Sequence, residues 1–309
     1  MFFDSFSMTQ RNVERQARAP SLAPIAPILG ATSGGRATAE SARGLLVTLL
    51  GEFVRPGGGS AWTQTLIDAM ETLGVQDKAT RQVLARLDDR GWLHRTRDGR
   101  RTRWALTPTS EALLASGAER IYGFGHDRPD WDGRWLVLLA SLGEGDEHRR
   151  YGLTTGLTWA GFGSLGQGTW ISPWVDHEQP AVAVIDDLDV DGATTFVAEL
   201  GHLGEGTDLA ARAWDLDGTR RHYDEFLAAT ESVDPTATGA DAVHHLTVLV
   251  HRWRRFPFLD PELPDALLPD DWPAGAAVER FTSLRSALRP AATEWWSRTD
   301  ADYGAPATA

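Results

Sequence analysis

The side chains with the plainest chemistry lie between residues 76 and 107: Lys78, Arg81, Arg86, Arg90, Arg95, Arg97, Arg100, Arg101 and Arg103, against only Asp77, Asp88, Asp89 and Asp98. This window is net +5 in a chain of net −13, so the remaining residues sum to −18 and the positive charge is local. A guanidinium grips a phosphate, or the O6 and N7 edge of guanine, through two parallel hydrogen bonds, and a glutamine amide does the same for adenine. One basic island on an acidic body suits a module that binds a polyanion.

Periodicity says how those groups are held. Leu45, Leu46, Leu49, Leu50 and Phe53 recur at helical spacing, with Ser41 as N-cap and RPGGGS as the stop. A second helix is predicted from about Trp62 to Leu73, ending at Gly74. A third, capped by Asp77, runs to about Arg90 with Thr80, Val83, Leu84 and Leu87 inward. Lys78, Arg81, Gln82, Ala85 and Arg86 then fall on its outer face. Gly91 stops that helix, and strands 92–97 and 100–107 flank Asp98-Gly99, which predicts a type I′ hairpin. Helices followed by a basic helix and a basic hairpin are the order of a winged helix, with Arg81, Gln82 and Arg86 reading bases. Lys78, Arg95, Arg97, Arg100, Arg101 and Arg103 are assigned to phosphates.

The fold class expected is therefore α+β and multidomain. A fourth helix, Ser110 to about Tyr122, closes the winged-helix domain (41–125), and GFGHDRPDWDG marks a boundary. The next domain (130–212) reads as strand 134–141, helix 147–160, strands 161–166 and 169–173, helix 177–188 and strand 193–200, the βαββαβ order of a ferredoxin-like domain. A helical C-terminal domain (213–298) follows: Asp215 to Thr230, 239–255, a proline-rich but apolar stretch that must be ordered and extended, and a last helix over 275–297. Residues 1–40, rich in Ala, Pro, Gly and Ser, are expected to be a disordered tail or an arm touching DNA through Arg11, Arg15 and Arg18; residues 299–309 form a second tail.

Composition closes several classes. With no cysteine, disulfides, thiolate metal sites and Cys nucleophiles are excluded. No apolar run reaches the roughly 20 residues that span a bilayer, and no signal-peptide pattern opens the chain, so a cytoplasmic location is expected. GFGSLG (161–166) matches GxGxxG but leads into a strand, the reverse of a dinucleotide site. There is no GxSxG elbow and no HExxH among the nine histidines. No enzyme activity, cofactor or metal is expected. Trp159, Trp170, Trp174, Trp214, Trp253, Trp272, Trp295 and Trp296 read either as core and interdomain packing or as walls of an aromatic pocket.

Beyond these patterns, RGLLVTLLGEFVRPGGGSAW, ATRQVLARLDDRGWL, RIYG, WDGRW, LTWAGFGSLGQGTWISP, ARAWDL and RRFPFLDPELPDALLPDDWPAG occur in the order typical of one family. The chain resembles PaaX-family transcriptional regulators over about residues 43–296. The resemblance implies a homodimer on double-stranded operator DNA that represses aromatic, phenylacetate-type catabolism genes. It implies release by a CoA thioester such as phenylacetyl-CoA. In HRWRRF, Arg252, Trp253, Arg254 and Arg255 are then candidates for the effector, the arginines either meeting CoA phosphates or pairing with the acidic loop behind them. Two other readings stay open: a ligand-binding or interaction module with secondary DNA contact, and a metal-dependent nuclease like the CRISPR-associated proteins whose fold the middle domain is expected to share. The nuclease reading is disfavoured, because the first strand and its end (Trp135 to Ser141) carry no Asp or Glu before Glu144.

Overall fold

A computed structural model describes residues 39–126, 130–142 and 146–305. The arm arginines, most of the N-terminal tail and Glu144 lie outside the described residues. Helix α1 (Ala39–Leu49) continues into a wider π-type turn (Leu50–Val54). It begins two residues before Ser41, which is thus inside the first turn and is not its cap; Ala39 and Glu40 are good helix formers that extend it. The π turn holds Glu52 inward, where it accepts hydrogen bonds from Tyr122 and Arg285. Beside this carboxylate, burial first and then the Glu52 charge push the Tyr122 phenol well above its usual range.

Strand β1 (Ser60–Trp62) precedes α2 (Thr63–Thr72), so Trp62 is strand and not helix. Three residues carry too little periodicity to announce themselves. Helix α3 spans Asp77–Asp89 with Gln76 at its N-cap, so Asp77 is the first helical residue and makes no side-chain cap. Hairpin strands β2 (Leu93–Asp98) and β3 (Arg101–Leu106) pair Asp98 with Arg101, and β1 joins the outer side of β3. The connecting pair is therefore Gly99-Arg100. Gly99 has φ +58° while Arg100 stays out of the left-handed region, the pattern of a type II′ turn, not I′. Asp98 remains in the ladder, because a turn glycine in the first central position is sufficient for the reversal.

Helix α4 (Pro108–Gly123) opens with a reciprocal cap between Thr107 and Ser110. The middle segment follows as β4 (Arg134–Leu139), α5 (Glu147–Trp159), β5 (Gly163–Gly166), β6 (Thr169–Ser172), a 3-10 turn (Val175–His177) leading into α6 (Glu178–Asp187), and β7 (Thr194–Glu199). Its antiparallel sheet has the order β5-β6-β4-β7, with Leu136 opposite both Ser172 and Val197. One face packs Leu136 and Leu138 against Leu153 and Leu157 of α5 and Ala181 of α6. The glycines of GFGSLG are structural: the Trp214 ring would lie 2.5 Å from a Cβ at Gly163, so only glycine lets it approach.

The opposite face of the sheet is covered by α7 (Gly206–Ala213), an eight-residue helix the sequence pattern did not announce, and by the proline-rich segment. Leu263, Leu267 and Leu268 of that segment are buried with Trp135 and Ile171. The segment is ordered, but α10 (Phe256–Leu259) and a 3-10 turn (Asp265–Leu267) interrupt the extended run expected of it. Helices α8 (Leu216–Thr230), α9 (Gly239–Trp253) and α11 (Ala274–Gly304) complete the chain, the last running seven residues past the predicted end. They do not form a separate core: Leu46, Leu49, Leu84 and Trp104 share one continuous cluster with Leu246, Trp253, Phe281 and Leu288. Among the described residues no helix is long and apolar enough to cross a membrane.

Candidate nucleic-acid interface

Helix α3 buries Thr80, Val83, Leu84 and Leu87, and this single stripe fixes which residues look outward. Lys78, Arg81, Gln82, Ala85 and Arg86 are all exposed. The helix ends in a Schellman motif, with the Trp92 amide donating to the Leu87 carbonyl and the Gly91 amide to that of Asp88. Gly91 takes φ +71°, which turns the chain back into β2 beside the same helix. Arg81 Nε donates to Asp77 one turn earlier at 2.5 Å, and Arg95 lies 3.4 Å from Asp88, tying hairpin to helix. The first pair is exposed and the second has an exposed arginine on a half-buried Asp88, so each contributes little and can be exchanged for a phosphate or a base edge.

The six basic groups assigned to phosphates divide into two sets. Lys78, Arg95, Arg97 and Arg100 are exposed, the last two at the hairpin tip. Arg101 and Arg103 instead face the end of α11. Arg101 donates to the carbonyls of Tyr303 and Ala305, while Arg103 donates to Ser60 Oγ at 2.9 Å and lies over the Trp62 ring. Asp300 is the hub of this junction: it accepts from the Trp62 amide (2.8 Å), the Thr65 hydroxyl (2.9 Å) and Arg103 (3.4 Å), while Tyr303 donates to Asp68. Asp300→Ala strands an amide and a hydroxyl near the base of the hairpin and is expected to cost about 1–3 kcal/mol, read as a lower urea midpoint at unchanged slope.

The effector candidates separate even though they are consecutive in sequence. Trp253 is 0% exposed; its indole N–H donates to the Ile121 carbonyl at 3.1 Å, and its ring stacks on Phe281 at 4.5 Å and meets Phe124, Phe226 and Phe256. No face is left for a ligand, which corrects its assignment to a pocket: the helical repeat of α9 turns it into the core. Arg252 and Arg255 line a shallow cleft with His222 and Glu225. Arg254 is 2% exposed and points the other way, its terminal nitrogen over Gly44 of α1. Among the described residues no carboxylate pairs with it, so the acidic-loop reading fails for Arg254.

His251, one turn earlier on α9, contacts Thr48 (Oγ1 to Nδ1, 3.1 Å). Burial first, then the charges of Arg254, Arg255 and Arg252, hold its pKa down at about 3. The unfolded chain, with an ordinary histidine near 6.5, then binds one more proton than the folded chain between pH 6.5 and 3. Stability is therefore complete above pH 6.5 and falls as pH drops through that window, by up to roughly 1.4 kcal/mol per unit from this residue. Denaturation at pH 7 and 5 should show the decline, and His251→Gln should flatten it.

Known proteins resemble the chain along most of its length. Three family models match in succession: PaaX-like protein over residues 41–110, PaaX protein central Cas2-like domain over 128–210, and PaaX-like protein C-terminal domain over 214–298. The transcriptional repressor PaaX of Escherichia coli (strain K12) is 28% identical over 263 residues, 82% of each chain. Among solved structures, an uncharacterised protein from Mycobacterium tuberculosis has a similar fold, with TM-score 0.57 and 22% identity over 82% of this chain and 98% of its own.

Proposed function

The chain belongs to the PaaX family, and from that premise we propose that it is a sequence-specific DNA-binding transcriptional repressor. The observation that carries this reading is the exposed face of α3, where Lys78, Arg81, Gln82 and Arg86 stand beside the exposed hairpin arginines Arg95, Arg97 and Arg100. Helices α1 to α3 with the three-stranded sheet support a winged-helix unit, and the β5-β6-β4-β7 order supports a ferredoxin-like middle domain. In this reading α3 enters a major groove, with Arg81, Gln82 and Arg86 on base edges. Lys78, Arg95, Arg97 and Arg100 hold phosphates; Arg101 and Arg103 reach them only by leaving α11. No catalytic step is proposed.

A repressor of this kind reads two half-sites, which calls for two copies whose recognition helices lie about 34 Å apart or a multiple. Strand β7 is a sheet edge with Phe196 and Val197 exposed on its opposite faces, near exposed Leu139, Leu200 and Leu203. Such an edge supports a homodimer formed through the middle domain. Phe196→Glu with Val197→Lys is expected to yield a folded monomer by light scattering. The effector in this reading is an aryl- or acyl-CoA thioester whose phosphates meet Arg252 and Arg255, a reading supported by the cleft these two arginines share.

Fluorescence anisotropy on DNA from the gene's own promoter, against scrambled DNA and with a panel of acyl-CoA thioesters, tests the whole scheme. Specific binding released by one thioester is the expected result. Salt-sensitive binding without sequence preference would leave only a generic DNA contact, favouring the interaction-module alternative.

A further inference from the structure

Among the described residues the Arg254 guanidinium is a buried charge without an ion-pair partner. It is 2% exposed, its Nε has no hydrogen-bond partner, and burial together with neighbouring Arg255 depresses its pKa to about 10. The other charged groups nearby do not neutralise it. Glu52 is already held by Tyr122, Arg285 and Arg289, and His251 is neutral at physiological pH. An unpaired buried cation is expensive, and such a group survives where an anion completes it.

Arg254 also lines a cavity. A narrow slot of about 60 Å³ is walled mainly by hydrocarbon from α1 (Val47), α4 (Leu114, Ile121) and α9 (Val250), with Glu52, already paired, also in its lining. It shares Arg120, Trp159 and Phe258 with a wider vestibule of about 470 Å³ beside the middle sheet. At the junction Trp159 and Phe258 form an aromatic pair, ring centres 4.9 Å apart, and Arg120 lies over the Phe258 ring while donating to the Pro257 carbonyl. The vestibule is mixed, with Trp174 and Trp214 beside the carboxylates Asp176, Asp260 and Glu262, and the space narrows past Trp159 and Phe258 into the more apolar slot where Arg254 lies without a partner among the described residues.

We propose that this slot is a binding site for a small apolar monocarboxylate, its carboxylate on Arg254 and its body lying toward Trp159 and Phe258. Among the described residues Arg254 is the one guanidinium of the slot left without a polar partner, since Arg120 is engaged by the Pro257 carbonyl and the Phe258 ring and Glu52 by Tyr122 and Arg285, so the slot offers one free charge to one carboxylate. The site is separate from the cleft of Arg252 and Arg255, and it does not depend on which DNA the chain reads.

Thermal unfolding of the full chain tests this directly, with sodium benzoate and sodium hexanoate as probes and benzamide and hexanamide as their neutral counterparts. At tenfold excess over Kd, the acids are expected to raise Tm saturably by about 2 °C, and the amides to leave it unchanged. In Arg254→Met the acid response should vanish, while the unliganded variant unfolds no earlier than the parent because an unpaired buried charge has been removed. Equal shifts from acids and amides, a shift reproduced by inorganic phosphate at matched ionic strength, retention of the acid response in Arg254→Met, or no shift with the parent chain would each overturn the assignment. The acid and amide comparison needs no variant, so it stands even where Arg254→Met folds poorly.

Discussion

Replacing Arg81 and Arg86 together by glutamate is expected to abolish specific DNA binding while leaving the fold intact. Both side chains leave α3 on the side away from Val83, Leu84 and Leu87, and neither contributes to the core. Among the described residues the side-chain partner given up is Asp77, in an exposed pair that contributes little. Each bidentate base contact carries about 1–3 kcal/mol of discrimination, so losing two lowers operator affinity roughly 30-fold to 10⁴-fold. The contrasting substitution is at the hairpin tip. Arg97→Ala and Arg100→Ala should weaken binding to all sequences alike and flatten the salt dependence by about 0.9 per lost phosphate contact. Anisotropy titrations at several salt concentrations separate the two patterns; a glutamate double variant that keeps its sequence preference would show that α3 does not read bases.

Arg101 and Arg103 show where sequence reasoning stops. Each sits in the same charge island as Arg97 and Arg100, and nothing local distinguishes them. Their partners, Tyr303, Ala305 and Asp300, lie some 200 residues away in the last turns of α11. The outer face of α3 was legible because a 13-residue helix repeats its apolar stripe three times; β1, with three residues, and α7, with eight, were not. The order of strands and helices in the middle domain was legible because strand and helix periods alternate there. Arg254 was legible as a charge but not as a buried one, since HRWRRF reads as a basic surface until Gly44 of α1 is laid against it.

Trp253 is where the same limitation matters most for stability, and its truncation tests the shared core. Trp253→Ala removes the ring at the centre of four aromatic contacts and leaves the Ile121 carbonyl of α4 without its donor. Truncating a buried tryptophan costs about 3–5 kcal/mol, and the stranded carbonyl lies at the end of the helix that follows the hairpin. Because helices α1 to α4 and α8 to α11 bury one continuous cluster, the loss should lower the denaturation midpoint of both halves together. Trp253→Phe keeps a ring against Phe281 but loses the donor and part of the indole's volume, so it should cost less than Trp253→Ala, about 1–3 kcal/mol. Hydrogen exchange supplies the decisive readout. If amides of α3 exchange faster in Trp253→Ala in step with those of α9, helix α3 draws its stability from the C-terminal helices. Any ligand that changes their packing then has a physical route to α3. Unchanged protection in α3 would mean that the two halves unfold independently despite their common core.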